Sequence, residues 1–155
     1  MRNTHEMRIG ALDRLLAVTA LLHQDASKSL ARDGLTLSRA AALWHLRRHG
    51  PATQRDLAAA MNVSARTVTG LVDALVDTGF VGREPHPTDR RANLVTFTDR
   101  GTRVVESIER QQQQFVDVLF GGVPDAQFRC FVNGLDDLLR RLHDLGIDRT
   151  IEDAG

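Results

Sequence analysis

The chain has 155 residues, 42% hydrophobic and 26% charged, with formal net charge zero. This is the composition of a globular protein of one domain, or one with a short appended lobe, long enough to bury a core. A lone Cys130 excludes an internal disulfide and fits a reducing compartment. No apolar run approaches the ~20 residues of a membrane helix. The opening MRNTHEMRIG lacks the apolar core of an export signal, so a cytoplasmic protein without a membrane partner is expected. The zero net charge conceals an uneven distribution. Residues 1–35 carry five basic and four acidic side chains, 36–103 ten and six, and 104–155 five and ten. The middle segment is therefore net +4 and the last net −5, and a local positive field persists over a Debye length of about 8–10 Å.

In chain order, apolar steps of three and four residues predict a helix over 6–31, with Leu12, Leu15, Leu16, Thr19, Leu22 and Ala26 on one stripe. Asp33-Gly34 stops it. Thr36 or Ser38 caps a second helix, which carries Ala41, Leu43, Trp44 and Leu46 up to Gly50-Pro51. Thr53 is an N-cap for a short helix, 54–61, that buries Leu57 and Ala58. Asn62-Val63 breaks the chain, and Ser64 caps a helix over 65–77 with Val68, Leu71, Val72 and Leu75 inward. Gly79 ends it as a C′ glycine. Two short strands are expected next, 80–84 and 93–97. Thr98-Asp99 opens a long helix to Phe120, in which Gln111 to Gln114 form a solvated turn. Gly121-Gly122 interrupts it. Pro124 suits the first turn of a last helix, whose spacing aligns Phe128, Phe131, Val132, Leu135, Leu138, Leu139 and Leu142.

Residues 53–78 read as a helix-turn-helix, a motif that presents its second helix to the major groove. With Val68, Leu71, Val72 and Leu75 inward, that helix shows Arg66, Thr69, Gly70 and Asp73 outward, with Ser64, Ala65 and Thr67 near its start. Arginine can fork onto guanine, and Ser or Thr hydroxyls serve phosphates or bases. The alternative is an ordinary helical hairpin with a polar outer face. The stretch GREPHPTDRRANLVTFTDRG then supplies a β-hairpin wing with Arg90 and Arg91 at its tip, placed to enter a minor groove or clamp phosphates. Pro85 and Pro87 stiffen the tip. Asp89 is expected to hold one arginine by a bidentate pair so that the other is aimed.

Residues 35–101, LTLSRAAALWHLRRHGPATQRDLAAAMNVSARTVTGLVDALVDTGFVGREPHPTDRRANLVTFTDRG, resemble the core of MarR-type winged-helix regulators. The most specific part is the DRR after a proline, followed by an alternating strand and a Thr-x-x-Gly helix start. The resemblance implies a mainly α fold: a winged helix-turn-helix at 36–103 flanked by dimerisation helices in 1–35 and 104–155. It implies a homodimer on a pseudo-palindromic double-stranded DNA operator, usually repressing and often released by a small phenolic or lipophilic effector or by oxidation. It places Ser64, Arg66, Thr67 and Thr69 at base and phosphate contacts, and Asp89, Arg90 and Arg91 on the wing motif. One departure is Gly70, where relatives often carry a larger, frequently basic residue; glycine also costs about 1 kcal/mol of helix propensity relative to alanine.

Other chemistry is weakly represented. His45 and His49 lie four apart, but no third or fourth ligand accompanies them, so no metal is assigned. Cys130, set among Phe128, Phe131 and Val132, reads as a buried small hydrophobe rather than a redox sensor. Trp44 and the leucines of the first helix read as core rather than as a ligand pocket. There is no phosphate-binding Gly-Lys loop and no G-x-S-x-G elbow, so neither an enzyme nor a cofactor is expected. The competing reading from another class is a winged helix used as a protein-interaction module. Loss of binding with rising salt separates the two.

Overall fold

The computed structural model describes residues 2–147, with side chains from residue 4 onward. Its elements are α1 (Arg2–Arg32), α2 (Leu37–His49), β1 (Ala52–Thr53), α3 (Gln54–Met61), α4 (Ala65–Asp77), β2 (Val81–Pro85), β3 (Asn93–Phe97), α5 (Asp99–Phe120) and α6 (Asp125–Asp144). Four helix starts are set by local chemistry. The hydroxyls of Thr36, Thr53, Ser64 and Thr98 each accept the amide three residues on, satisfying a donor that has no partner within the helix. Of the two candidates for α2, Thr36 is the cap. At α3 the bond is reciprocated, because Asp56 accepts the Thr53 amide at 3.2 Å.

Most boundaries agree with the sequence pattern, and the differences have causes. α1 begins at Arg2 rather than near Glu6, since nothing in residues 2–5 terminates a helix. β2 starts one residue later than expected. Phe80 instead closes α4: its amide returns to the Leu75 carbonyl at 2.9 Å, and its ring is 1% exposed. Gly79 precedes it at φ 74°, the left-handed C′ position. Pro124 stands at the N-cap of α6, one residue before the first turn.

The sheet has the order β1-β3-β2 and is antiparallel throughout. β1 is new relative to the sequence reading. Its two residues are too few to show a period of two, and it exists only because Ala52 and Thr53 pair with Val95 and Leu94. The buried core draws on α2, α3, α4, the sheet, the end of α1 (Leu30) and the start of α5 (Val105). Trp44 packs against this core, half-buried, as do Ala58 and Leu71. Gly101 shows how tightly α5 docks. A Cβ on it would lie 1.9 Å from the Phe80 carbonyl oxygen, so the fourth position of Thr-x-x-Gly admits only glycine.

The two ends differ. α6 has no buried residue, and its contact with α5 is an aromatic corner in which the Phe120 and Phe128 rings lie 5.1 Å apart. Cys130 is exposed, contrary to the buried environment expected from its neighbours. Phe131 and Val132 beside it are exposed too, because no other described element covers that face.

Candidate DNA interface

α3 and α4 meet through the sharp turn at Asn62, whose φ of 54° is the one left-handed non-glycine among the described residues. Asparagine tolerates that conformation better than most residues. Val68, Val72 and Leu75 anchor α4 to the core, which turns Ser64, Arg66, Thr67, Thr69, Gly70 and Asp73 outward, all exposed. Ser64 Oγ accepts the Thr67 amide at 3.1 Å and lies 2.8 Å from the Thr67 hydroxyl. The Thr69 hydroxyl donates to the Ala65 carbonyl (2.8 Å) and lies 3.2 Å from Gln54 Oε1, tying α4 to the first residue of α3. Arg66 has no partner among the described residues. A Cβ on Gly70 would meet open space.

The wing is β2, β3 and the seven-residue tip His86–Ala92. Asp73 of α4 pairs with Arg83 of β2, so this acidic group on the outward face of the helix is offset by a cation from the wing, while Asp77 at the end of the helix is also exposed. Ten residues separate the two in sequence, and no helical or strand period relates them. At the tip, Asp89 does not hold a guanidinium. Its Oδ1 accepts the Arg91 amide at 2.9 Å, and its carbonyl accepts the Ala92 amide at 3.1 Å. This corrects the bidentate pair expected from sequence: aspartate is closing an Asx turn on the backbone, for which it is well suited. The side chains of Arg90 and Arg91 are exposed and make no ion pair within the described residues.

Of the predicted site residues, Asp89 and Arg91 share a groove, whereas Ser64, Arg66, Thr67, Thr69 and Arg90 lie outside its lining. This open groove of about 670 Å³ is lined by Thr53, Gln54 and Arg55 at the start of α3 and by Arg83, Asp89 and Arg91 of the wing, among others. Gln54 leads through Thr69 to α4, and Arg83 leads through Asp73 to its next turn. Sequence reasoning missed Gln54, Arg55, Asp73 in its pairing role, Arg83 and His86. Arg55 had a signal, as an arginine in the first turn of a capped helix; the others depend on partners brought together by folding.

Outside this surface, His45 and His49 stack with ring centroids 4.6 Å apart. Partial burial and the neighbouring His49 hold His45 below the usual imidazole range, with Asp56 opposing. No group of three or more His, Cys, Asp or Glu suited to a metal occurs among the described residues. The Thr53 hydroxyl and amide hold Asp56 below the usual carboxylate range. Arg47 of α2 forks onto Glu109 of α5 at 3.0 and 3.1 Å, and that carboxylate raises its pKa.

The MarR family profile matches residues 35–92. An HTH-type transcriptional regulator of Mycobacterium leprae, itself uncharacterized, is 34% identical over 106 residues, 68% of this chain and 73% of that protein. The chain belongs to the MarR family. It is a DNA-binding transcriptional regulator rather than an enzyme, built on a winged helix. The Bacillus subtilis transcriptional repressor YetL is 32% identical over 56% of this chain and 52% of its own length. The activatory protein BadR of Rhodopseudomonas palustris is 34% identical over 60% and 55%. The solved MarR family regulator SP03579 superposes over 96% of this chain and 99% of its own, with TM-score 0.82 and 17% identity, which speaks for the fold. No described helix is long and apolar enough to cross a membrane.

Proposed function

We propose that this MarR family protein acts in the cytoplasm as a homodimer on a pseudo-palindromic operator, with α4 in the major groove and the wing at the neighbouring minor groove. The observation that carries this is the set of unpaired, exposed guanidiniums of Arg66, Arg90 and Arg91 on α4 and the wing. Arg66 near the start of α4 suits a bidentate contact to guanine. Ser64, Thr67 and Thr69 border it; Thr69 acts through its methyl and oxygen lone pairs, since its hydroxyl hydrogen is engaged within the chain. Arg90 and Arg91 act on phosphates and the minor-groove potential. Asp89 serves by shaping the turn that carries them.

Dimerisation through residues 1–35 and 104–155 is supported by the apolar rows that α1 and α6 leave uncovered, including Leu12, Leu16 and Leu21 on the one and Phe131, Val132 and Leu139 on the other. A two-fold dimer buries such rows against their own copies and sets two recognition helices about 34–36 Å apart. Repression follows where the operator overlaps a promoter. Release by a phenolic or lipophilic compound requires that compound to favour a spacing that misses the half-sites.

Selecting bound duplexes from a random pool tests the reading. A palindromic consensus, with affinity falling steeply with salt, is the expected result. Recovery of no consensus, with binding indifferent to salt, would instead favour the protein-interaction module. Arg66→Ala should relax preference at one position per half-site. Arg91→Ala should weaken all sequences alike and flatten the salt slope by about one unit per lost phosphate contact. Thermal-shift and operator titrations across a panel of aromatic acids and lipophilic compounds test the effector.

A further inference from the structure

The tip of the wing is folded by a histidine. His86 is half-buried, while every residue from Pro87 to Arg91 is exposed. Its own amide extends the β2–β3 ladder by donating to the Ala92 carbonyl at 3.0 Å. Its ring Nδ1 receives the Asp89 amide at 3.1 Å and the Thr88 amide at 3.3 Å, with the Thr88 hydroxyl also at 3.3 Å. Backbone amides can only donate. Nδ1 is therefore placed to accept, the role it has in the tautomer that carries its proton on Nε2. Asp89, once placed by this bond, accepts the Arg91 amide. Two side chains thus hold the turn in series, His86 fixing Asp89 and Asp89 fixing Arg91.

We infer that His86 is the positioning residue of the wing: its neutral ring folds the 86–92 tip and sets the direction in which Arg90 and Arg91 leave it, so DNA binding weakens when the ring is protonated. A protonated Nδ1 confronts two amide hydrogens with a third, and both bonds are lost. The flanking charged groups are Arg83 and Glu84 of β2 and Asp89, Arg90 and Arg91 of the turn, with Arg55 and Asp56 of α3 across the groove that Asp89 and Arg91 line; β3 contributes none. Electrostatics alone gives the opposite sign, because an imidazolium beside DNA attracts phosphate. The two effects are therefore separable. The inference rests on the reading of Arg90 and Arg91 as DNA contacts.

The test uses the full chain and a mixed-sequence duplex of about 30 base pairs, which suffices because wing contacts read sequence weakly. At pH about 8, His86→Ala is expected to weaken binding about threefold to tenfold, the effect of one or two lost hydrogen bonds, whereas His86→Asn, which keeps an acceptor, stays within about twofold. Protonating the ring by lowering the pH should make wild type lose ground relative to His86→Asn. The other histidines are common to all variants and cancel in that ratio. Nitrogen NMR of the free protein should show the Nε2–H tautomer at pH about 8, with Thr88 and Asp89 amide shifts that collapse on acidification. A wild type that tightens relative to His86→Asn, a His86→Ala variant that binds as wild type, or an Nδ1–H tautomer overturns the inference. An Arg91→Ala control separates the failures. If it weakens binding while His86→Ala does not, only the role of His86 falls. If neither does, the wing is not a DNA contact and both readings fall.

Discussion

Residues 30–105 and the two ends of the chain put similar amounts of apolar side chain to opposite uses. The middle closes on itself: Leu43, Leu57, Leu75 and Phe80 are each at most 1% exposed, and among the described residues every buried apolar one falls between Leu30 and Val105. Every large apolar side chain left exposed among the described residues lies in 7–22 or 115–147. Single exposed leucines are ordinary on a protein surface, but continuous rows along two long helices are not. The contrast separates a region that buries its apolar side chains within the chain from two faces that leave theirs uncovered. The ion pair between Arg47 and Glu109 is one of the few polar ties between them.

The sharpest way to break that comparison is to charge the ends. Leu16→Glu with Leu139→Glu should leave a folded winged helix and abolish the dimer. Operator affinity should fall at least about 100-fold, because the half-sites are then bound independently. Light scattering and amide spectra of residues 36–103 decide it. A double variant that remains a dimer would show the uncovered rows to be irrelevant to association. Next in size is the core. Phe80→Ala should cost about 3–5 kcal/mol by urea unfolding, from lost burial plus a cavity.

Gly101→Ala tests the seam where the two regions meet. The clash with the Phe80 backbone must be relieved by moving α5, at a cost of about 1–3 kcal/mol. A variant as stable as wild type would mean that α5 docks loosely. Smaller still is Thr53→Ala, expected to cost about 1 kcal/mol. Its pH dependence has a definite sign. The folded-state pKa of Asp56 is depressed by its bonds to Thr53, so its contribution is complete above the ordinary carboxylate range and is lost as pH falls through the folded value. The stability gap between wild type and Thr53→Ala should therefore shrink below pH about 4. The smallest change is a gain. Gly70→Ala meets no neighbour and should stabilise α4 by about 0.5–1 kcal/mol, read as a rise in thermal midpoint.

What was legible in the chain follows the range of the interaction. Thr53, Ser64 and Thr98 could be read as caps because each bond spans three residues, and the limits of α3, α4, β3 and α5 follow from them. The wing was legible from its prolines, its alternating strand and the glycine that ends α4. The candidate site was legible wherever a side chain is exposed and unpaired, as with Arg66, Arg90 and Arg91. It was not legible where a side chain has a folded partner. Asp89 carries a turn rather than a guanidinium, and Asp73 belongs to Arg83.

The sequence by itself therefore determined the helices, their order, the helix-turn-helix and the basic tip, since periodicity and capping act within one or two turns of chain. Only the tertiary structure decided the pairing of β1 with β3, the seat of Gly101 against Phe80, the ring of His86 as the acceptor of the wing turn, and the exposure of Cys130. Each of these depends on which surfaces meet. That is fixed by packing between segments distant in sequence or, in the wing, by the path of a turn with no period to reveal it.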